Sequence, residues 1–345
     1  MEIIDFSKLD KVFIIAELSA NHNGSLETAI ETIRAAKRAG ADAIKLQTYT
    51  ADSMTIDSNS VDFTINNGSI WDGKSFYELY KEAHTPWEWH PKLFEIAKEE
   101  GLICFSSPFD KKSVDFLNDL KVPCYKIASF EITDIPLIEY VASKGKPIIL
   151  STGIAKLEDI QLALKTIRSI SNIQIVLLKC TSSYPSPLEQ ANLAMIPEFE
   201  NYFDVIPGLS DHTLGSTAPI VATCLGAKII EKHFILDRTI GGPDASFSLD
   251  EKEFTQLVKD IRNAEAAIGK VGYTLSKDQE NARDFSRSLF IVKDVVEGEI
   301  IDNSNVCSLR PNLGIAPKNL TFILGKKFNG TYKNGTPLLE NMFYD

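Results

Sequence analysis

Long apolar runs and an excess of basic residues are both missing from this sequence of 345 residues. No run approaches the roughly 20 apolar residues that a membrane-spanning helix needs, and the start, MEIIDFSKLD, does not have the composition of a signal peptide. Acidic residues outnumber basic ones by 47 to 36, which argues against a nucleic-acid-binding surface. A small anionic substrate is still compatible, because a local cluster of lysines can override the sign of the net charge.

Cysteine is scarce, and no CxxC pair is present, so a structural zinc site is not predicted. The cysteines are scattered, and three of them, Cys104, Cys124 and Cys180, lie in apolar runs that resemble strands. This is the pattern of reduced thiols that pack as small hydrophobic groups. We therefore expect a cytoplasmic protein with free thiols.

The sequence does contain a regular alternation of strand-like apolar runs and segments of helical period. Eight such units occupy roughly the first 270 residues, from VFIIAELS to KIIEKHFIL, with a weak helix over 188–202 and an irregular stretch over 50–84. Eight units of this length favour an α/β fold, a (β/α)8 TIM barrel whose parallel sheet is covered on both faces. An open doubly wound sheet is disfavoured, because no GxGxxG follows the first strand.

The pattern changes near the C-terminus. Residues 273–287 are polar and predict a linker. From 288 onward, short apolar runs broken by Gly, Pro and Asn predict a small β-rich domain. The predicted organisation is a barrel over 1–272, a linker, and a small domain over 288–345, which we expect to pack on a barrel because a unit of that size is only marginally stable alone.

Polar side chains gather at the predicted carboxyl ends of the strands, where TIM barrels carry their chemistry. Lysines and serines there come from several strands, for example Lys45, Lys126, Ser151 and Ser210. Ammonium groups together with hydroxyl donors can bind a phosphate or a carboxylate. The alternative for each residue alone is an ordinary polar position at the rim of the barrel.

His212 and His233 end the predicted seventh and eighth strands. They lie one strand–helix unit apart, so their imidazoles are expected at similar heights, where they could share a divalent metal. Two protein ligands would leave positions for water and substrate, as a catalytic metal requires. A histidine pair without a third ligand is weak evidence, and the rim alternative stays open here too.

Many separated blocks of the sequence, in order, resemble the sialic acid synthase family, and within it the pseudaminic acid synthases. The blocks include IIAELSANHNG, GADAIKLQTYTADSMT, FSSPFD, YKIASFEI, LLKCTSSYPSP, GLSDHTLG, IIEKHF and GGPDASFSL. The tail, with RSLFIVKDVVEGEII and NVCSLRPNLGIAPK, resembles the small SAF domain that is related to type III antifreeze proteins. The resemblance covers nearly the whole chain.

The resemblance implies a metal-dependent condensation of phosphoenolpyruvate with a sugar aldehyde, in this subgroup 2,4-diacetamido-2,4,6-trideoxy-L-altrose, with release of phosphate. The implied metal is Mn2+, with Mg2+ or Co2+ as alternatives, on His212 and His233. The implied catalytic residues are Glu17 and Glu131. The implied phosphoenolpyruvate site is Lys45, Ser107, Lys126, Ser129, Ser151 and Ser210, and the implied sugar site is Gln47, Phe130, Ser182, Tyr184, Asp244 and Arg310.

Arg310 matches an arginine that the SAF domain donates to the partner subunit, which implies a homodimer with exchanged small domains. Two positions depart from relatives that make N-acetylneuraminate: Phe130 replaces a glycine and Ser182 replaces an asparagine. An apolar ring and a shorter polar group suit a 6-deoxy sugar with fewer hydroxyls.

Several alternatives stay open from the sequence. The same chemistry could produce N-acetylneuraminic or legionaminic acid. A Schiff-base aldolase could use Lys45 or Lys126 as its nucleophile, and a non-catalytic sugar-binding or ice-binding module is a third possibility. The sequence does not say which of Glu17 and Glu131 handles protons.

Overall fold

Eight parallel strands close into a barrel in chain order, each paired with the next and the first with the eighth. The structure, a computed structural model, describes residues 3–58, 60–66 and 68–345. The predicted closed parallel barrel is therefore confirmed. The strands are β1 Phe13–Glu17, β2 Ala43–Thr48, β3 Ile103–Pro108, β4 Tyr125–Ile127, β5 Ile148–Ser151, β6 Ile175–Cys180, β7 Ile206–Asp211 and β8 Ile229–His233.

Helices connect the barrel strands and bury an apolar stripe against them. Side-chain caps at Ser25, Asp110, Asp134 and Asp250 accept hydrogen bonds from the first turn of their helices and so define where those helices begin. The helices of this unit are α1 Leu26–Arg38, α2 Ala51–Met54, α3 Phe76–Ala83, α4 His90–Glu99, α5 Lys111–Asp119, α6 Ile135–Ala142, α7 Leu157–Ile170, α8 Met195–Phe203, α9 Thr217–Cys224 and α10 Glu251–Ile268.

Two of the predicted segments differ from the structure. The helix expected over 188–202 is a short 3-10 turn, Leu188–Gln190, followed by α8. Asn192 between them has a positive φ of 43°, which interrupts the helical hydrogen-bond ladder. The stretch over 50–84, expected to be irregular, contains α2 and α3, each of which begins with a capping box.

Large apolar side chains fill the amino-terminal end of the barrel. Phe6 lies on a 3-10 turn before β1 and packs edge-on against Phe13, with ring centroids 6.0 Å apart. Phe105, Ile149 and Leu178 belong to the same buried cluster. Because this end is filled, open space for a ligand is left at the opposite end, where the strands terminate.

The chain divides into two compact units, Met1–Gly269 and Lys270–Asp345. The second unit has its own buried apolar cluster, which includes Leu289, Val306 and Phe328. Its elements are α11 Lys277–Ala282, β9 Ser288–Ile291, β10 Val306–Leu309, α12 Leu320–Ile323, β11 Lys327–Phe328 and β12 Phe343–Tyr344. The segment predicted as a linker thus contains the short helix α11. Across the described ranges, no helix has the length and apolarity to cross a membrane.

Candidate active site

A cavity of about 520 Å³ opens at the carboxyl end of the barrel. Side chains alternate along a strand, so residues two apart, such as Lys45 and Gln47 on β2, both reach it. The predicted site residues that line it are Glu17, Lys45, Gln47, Ser107, Lys126, Ser129, Phe130, Glu131, Ser151, Tyr184, Ser210, His212, His233 and Asp244. Ser182 is not part of the cavity wall, although its hydroxyl oxygen is buried, and Arg310 belongs to the second unit.

Glu231 holds the two predicted lysines together. Its Oε1 lies 3.0 Å from the Nζ atoms of both Lys45 and Lys126 and accepts a hydrogen bond of 2.8 Å from the Ser210 hydroxyl. Lys45 also pairs with Glu17 at 2.8 Å. Buried charges need such partners. Burial lowers the pKa of Lys126, whereas for Lys45 the two carboxylates outweigh burial and raise the pKa.

Sequence reasoning did not identify Glu231 as the partner of these lysines, because a sequence does not show which charges meet across a barrel. The structure places it at the centre of the lysine cluster, on the same face of β8 as His233. The lysines are therefore held in position before any substrate arrives.

Three buried serine hydroxyls near this cluster, those of Ser107, Ser151 and Ser182, have no hydrogen-bond partner among the described residues. Buried polar groups are normally satisfied, so such atoms indicate a place for a ligand or an ordered water. Gly153 makes room for this arrangement: a Cβ there would lie 2.1 Å from Ser182 Oγ, and its N–H donates to Ser129 Oγ at 3.0 Å. The ammonium groups of Lys45 and Lys126 and the hydroxyls of Ser107 and Ser151 face one cavity, an arrangement that can bind an anion.

The imidazoles of His212 and His233 are neighbours, with ring centroids 5.3 Å apart, as their spacing predicts. His212 Nδ1–H donates to the Thr181 carbonyl at 3.0 Å, so the neutral form of this ring carries its lone pair on Nε2. Burial alone would lower the pKa of His212, but Cys180, the Thr181 carbonyl and Glu17 raise it on balance. His233 Nδ1 is buried without a hydrogen-bond partner, 3.8 Å from Asp244 Oδ2, and burial lowers the pKa of this ring. A divalent metal binds the neutral imidazole, so an ion on these rings would compete with the proton that the surroundings of His212 favour.

These two rings fit a metal site with few protein ligands. In the described part of the chain, no three His, Cys, Asp or Glu side chains are arranged to hold a metal. An ion on His212 and His233 would therefore keep several coordination positions for water or substrate, as catalytic sites do.

Lys232, between Glu231 and His233, faces away from the cavity and has a structural partner. Its ammonium group, which is fully buried, lies 2.5 Å from Asp211 Oδ2 and also donates to the Thr213 carbonyl. Asp211 precedes His212, so this ion pair joins β7 to β8 directly behind the two histidines. Within IIEKHF, Glu231 and His233 therefore face the cavity, whereas Lys232 points to the other face of β8 and pairs with Asp211.

The two predicted catalytic carboxyls lie in opposite electrostatic environments. Burial alone would raise the pKa of Glu17, but His233, Lys45 and Lys126 lower it on balance. Burial raises the pKa of Glu131 to about 7, and its Oε2 has no partner in the described structure. Near neutral pH, Glu17 is ionised and Glu131 is partly protonated, which is the division that acid–base chemistry needs.

Aromatic rings line the other side of the cavity. The Tyr184 ring lies 4.3 Å from the His212 ring and 5.6 Å from the Trp71 ring. Phe130 is 58% exposed, and Trp71 comes from the segment that was expected to be irregular. Sequence reasoning missed Trp71, because loop residues carry no periodic signal.

Comparisons with known proteins identify the family of this chain. The chain is 47% identical to a pseudaminic acid synthase of Campylobacter jejuni over 99% of this chain and 100% of that protein. It is 48% identical to a pseudaminic acid synthase of Helicobacter pylori over 94% and 96% of the two chains. The crystal structure of an N-acetylneuraminic acid synthetase from Leptospira borgpetersenii, in complex with citrate, superposes with a TM-score of 0.69 at 30% identity, covering 79% of this chain and 90% of that one. Residues 32–273 match the family model described as NeuB family, and the chain belongs to the NeuB family.

Proposed function

We propose that this protein is a pseudaminic acid synthase. It condenses phosphoenolpyruvate with 2,4-diacetamido-2,4,6-trideoxy-L-altrose and water to give pseudaminic acid and phosphate. The observation that carries the chemistry is the cluster of Lys45, Lys126 and unpartnered buried serine hydroxyls beside two neighbouring imidazoles. The choice of sugar rests on the two relatives described above, which are identical to this chain at almost half of the aligned positions.

The lysines and serines bind and orient phosphoenolpyruvate. Lys45 and Lys126 attract its anionic groups, and Ser107 and Ser151 donate the hydrogen bonds that they do not make within the protein. This places C3 of phosphoenolpyruvate toward the histidines, and such positioning can lower a barrier by several kcal/mol, up to about 7–11. C3 attacks the aldehyde carbon, and the aldehyde oxygen becomes a hydroxyl when it takes a proton.

His212 and His233 would hold the divalent metal, Mn2+ by the resemblance. A metal bound there would supply Lewis acidity toward the aldehyde oxygen. Asp244, 3.8 Å from His233 Nδ1, lies where it can accept a hydrogen bond from the sugar. Tyr184 packs on His212 and limits the space beside the aldehyde.

The two glutamates divide the proton transfers. Glu131, with a pKa of about 7, delivers a proton to the aldehyde oxygen. Glu17, whose pKa is lowered, takes a proton from the water that adds to C2 of the former phosphoenolpyruvate. The C2–O bond to phosphate then breaks, which leaves the keto acid and inorganic phosphate.

A phosphate-release assay with purified protein, phosphoenolpyruvate and a panel of amino sugars tests this proposal. We expect release with the diacetamido sugar and its loss after treatment with EDTA. Equal turnover of N-acetylmannosamine or of the legionaminic acid precursor would contradict the sugar assignment. Activity that resists EDTA, together with borohydride trapping at Lys45 or Lys126, would favour a Schiff-base aldolase instead.

We also propose that the second unit is a SAF domain that places Arg310 in the active site of a partner subunit in a homodimer. Arg310 is exposed in its own unit, next to Pro311 in the SLRP block. Its planar group of donors suits a sugar hydroxyl or an acetamido carbonyl. Mixing inactive His212→Ala chains with inactive Arg310→Ala chains should restore activity, and no recovery after confirmed subunit exchange would contradict the proposal.

A further inference from the structure

The segment between β2 and α3 contributes an aromatic side chain to the cavity. Trp71 lines the cavity, and its indole Nε1–H donates to the Pro243 carbonyl at 3.0 Å. Pro243 precedes Asp244 in the loop after β8. The hydrogen bond therefore joins this loop to the segment between β2 and α3, and both line the cavity. The position of the indole is therefore fixed relative to Asp244.

The backbone on both sides of Trp71 is also tied down. Ile65 N–H donates to the Lys74 carbonyl, and Gly73 N–H donates to the Ile65 carbonyl, both at 2.9 Å. The buried Ile65 side chain lines the same cavity. The Trp71 indole is thus held by its own hydrogen bond and lies next to residues with backbone hydrogen bonds to Ile65, and a half-buried indole held this way makes a rigid contact surface.

Tyr184 connects this indole to the histidines. Its ring centroid lies 4.3 Å from that of His212 and 5.6 Å from that of Trp71, so a sugar that contacts the histidines can also reach the indole. An extended six-carbon chain spans roughly 6 Å, at the 3.8 Å per three bonds of an extended chain. With its aldehyde at the histidines, the substrate would therefore carry its C4 and C6 substituents toward Trp71.

We propose that Trp71 is a specificity-determining residue, an apolar platform for the C4 acetamido methyl and the C6 methyl of the sugar; this rests on the proposed function. N-acetylmannosamine carries hydroxyls at these positions, and each hydroxyl would lose water against the indole without gaining a hydrogen bond. Apolar contacts of this kind change discrimination between substrates by about 10- to 200-fold. Phe130 lines the same cavity, and its apolar ring also suits a 6-deoxy sugar.

The test measures kcat/KM for the diacetamido sugar and for N-acetylmannosamine in the wild type, Trp71→Ala and Trp71→Phe. We expect Trp71→Ala to lower the ratio of the two values at least about tenfold, mainly through the KM for the diacetamido sugar, with the KM for phosphoenolpyruvate unchanged. Trp71→Phe keeps an aromatic face but loses the hydrogen bond to Pro243, and we expect it to retain most of the ratio. If Trp71→Ala keeps the wild-type ratio, or if Trp71→Phe is as impaired as Trp71→Ala, the inference is wrong.

Trp87→Phe is the matched control. The Trp87 indole also donates to a carbonyl, that of Tyr49 at 3.1 Å, but its ring stacks on Phe116 and is not part of the cavity wall. We expect this variant to leave both kcat/KM values unchanged. A change in the ratio as large as that in Trp71→Ala would mean that any lost tryptophan has this effect, which would overturn the inference.

A binding measurement tests the contact without turnover. The sequence has 3 tryptophans, so Trp87→Phe/Trp89→Phe leaves Trp71 as the only indole emitter. We expect its emission to change in a saturable way with the alditol of the diacetamido sugar, which lacks the aldehyde and cannot condense. An unchanged emission at saturating alditol would overturn the inference. No phosphate release by the wild type with any sugar would instead overturn the proposed function, and the titration would still test the contact.

Discussion

At the amino-terminal end of the barrel, Asp42 and Arg262 have several hydrogen-bond partners, whereas at the carboxyl end several buried polar side chains of the described residues have an atom with none. Asp42 accepts from Lys11 at 2.9 Å, from the backbone of Ile14 at 3.0 Å and from Arg262 at 3.2 Å. Arg262 in turn donates to Glu265 at 2.9 Å. These bonds join α10 to the start of β1 and β2, and they leave little capacity for a ligand.

The carboxyl end shows the opposite condition. Within residues 3–58, 60–66 and 68–345, the buried side-chain atoms without a hydrogen-bond partner all lie in the last three residues of a barrel strand or in the loop that follows. They belong to Asn21, Ser107, Glu131, Ser151, Ser182, Thr213, Glu231 and His233. Hydrogen bonds to these buried atoms would stabilise the folded protein. Their concentration at one end indicates that this end is organised for a ligand, at a cost in stability.

A buried or half-buried positive charge should therefore matter for catalysis at the carboxyl end of the barrel and for stability at the amino-terminal end. Lys126→Met removes a buried ammonium group from the proposed anion site, and we expect kcat/KM for phosphoenolpyruvate to fall by about 10²–10³-fold or more. Arg262→Met should leave kcat/KM within twofold and lower the free energy of unfolding by about 1–3 kcal/mol. Steady-state kinetics and urea unfolding measure both quantities.

The comparison would fail if Lys126→Met kept kcat/KM within about fivefold of the wild type while Arg262→Met lost activity without loss of stability. Lys126→Arg serves as a second variant. It keeps the charge but replaces a compact ammonium group, and it should recover only part of the activity.

The pH dependence of kcat, through Glu131, tests the same difference between the two ends of the barrel. Since burial raises its pKa from 4.5 to about 7, the acid form is lost as the pH rises through 7, and kcat should fall there. Glu131→Gln should lack this alkaline limb and lower kcat by about 10²-fold. Glu265→Gln, at the amino-terminal end, should keep the limb. If kcat of Glu131→Gln still fell at the same pH as that of the wild type, the fall would have to come from another titrating group.

The same shift predicts a change in stability. A carboxyl whose pKa is raised by folding contributes stability below its unfolded pKa of 4.5, and that contribution is lost as the pH rises through about 7. Relative to the wild type, Glu131→Gln should therefore gain up to about 3 kcal/mol in the free energy of unfolding between pH 5 and pH 9. Urea unfolding at several pH values measures this difference, and a constant difference would contradict the pKa shift.

Two serines provide the finest test. Ser151 Oγ has no partner in the described structure, whereas Ser113 Oγ accepts from Asp110 N at 3.1 Å and donates to the Asp110 carbonyl at 2.8 Å. Ser151→Ala should be neutral or stabilising and should raise the KM for phosphoenolpyruvate, whereas Ser113→Ala should cost about 1 kcal/mol without a change in KM. Thermal unfolding and kinetics separate the two. A stability loss in Ser151→Ala equal to that in Ser113→Ala would indicate that its hydroxyl is satisfied.

Much of the site could be predicted because a barrel converts strand order into spatial proximity. His212 and His233 end adjacent strands, so their spacing along the sequence already implied neighbouring rings, and the structure confirms this. The same reasoning placed Lys45, Lys126 and Ser151 on one cavity. It did not identify Glu231 as the partner of two lysines, since pairing across the barrel depends on side-chain reach and not on sequence separation.

The sequence by itself determined the parallel barrel and the residue types at its carboxyl end, because apolar runs and their period record which faces are buried. Only the tertiary structure decided how the charges are shared. The pKa of Glu17 is lowered and that of Glu131 is raised to about 7, although both carboxyls are buried, because His233 at 3.2 Å and Lys45 at 2.8 Å lie beside Glu17. Likewise, Trp71 meets Tyr184 and Pro243 through a loop whose path no periodic pattern encodes. Such contacts join distant parts of the chain, and their energies depend on distance and burial, which arise only when the chain is folded.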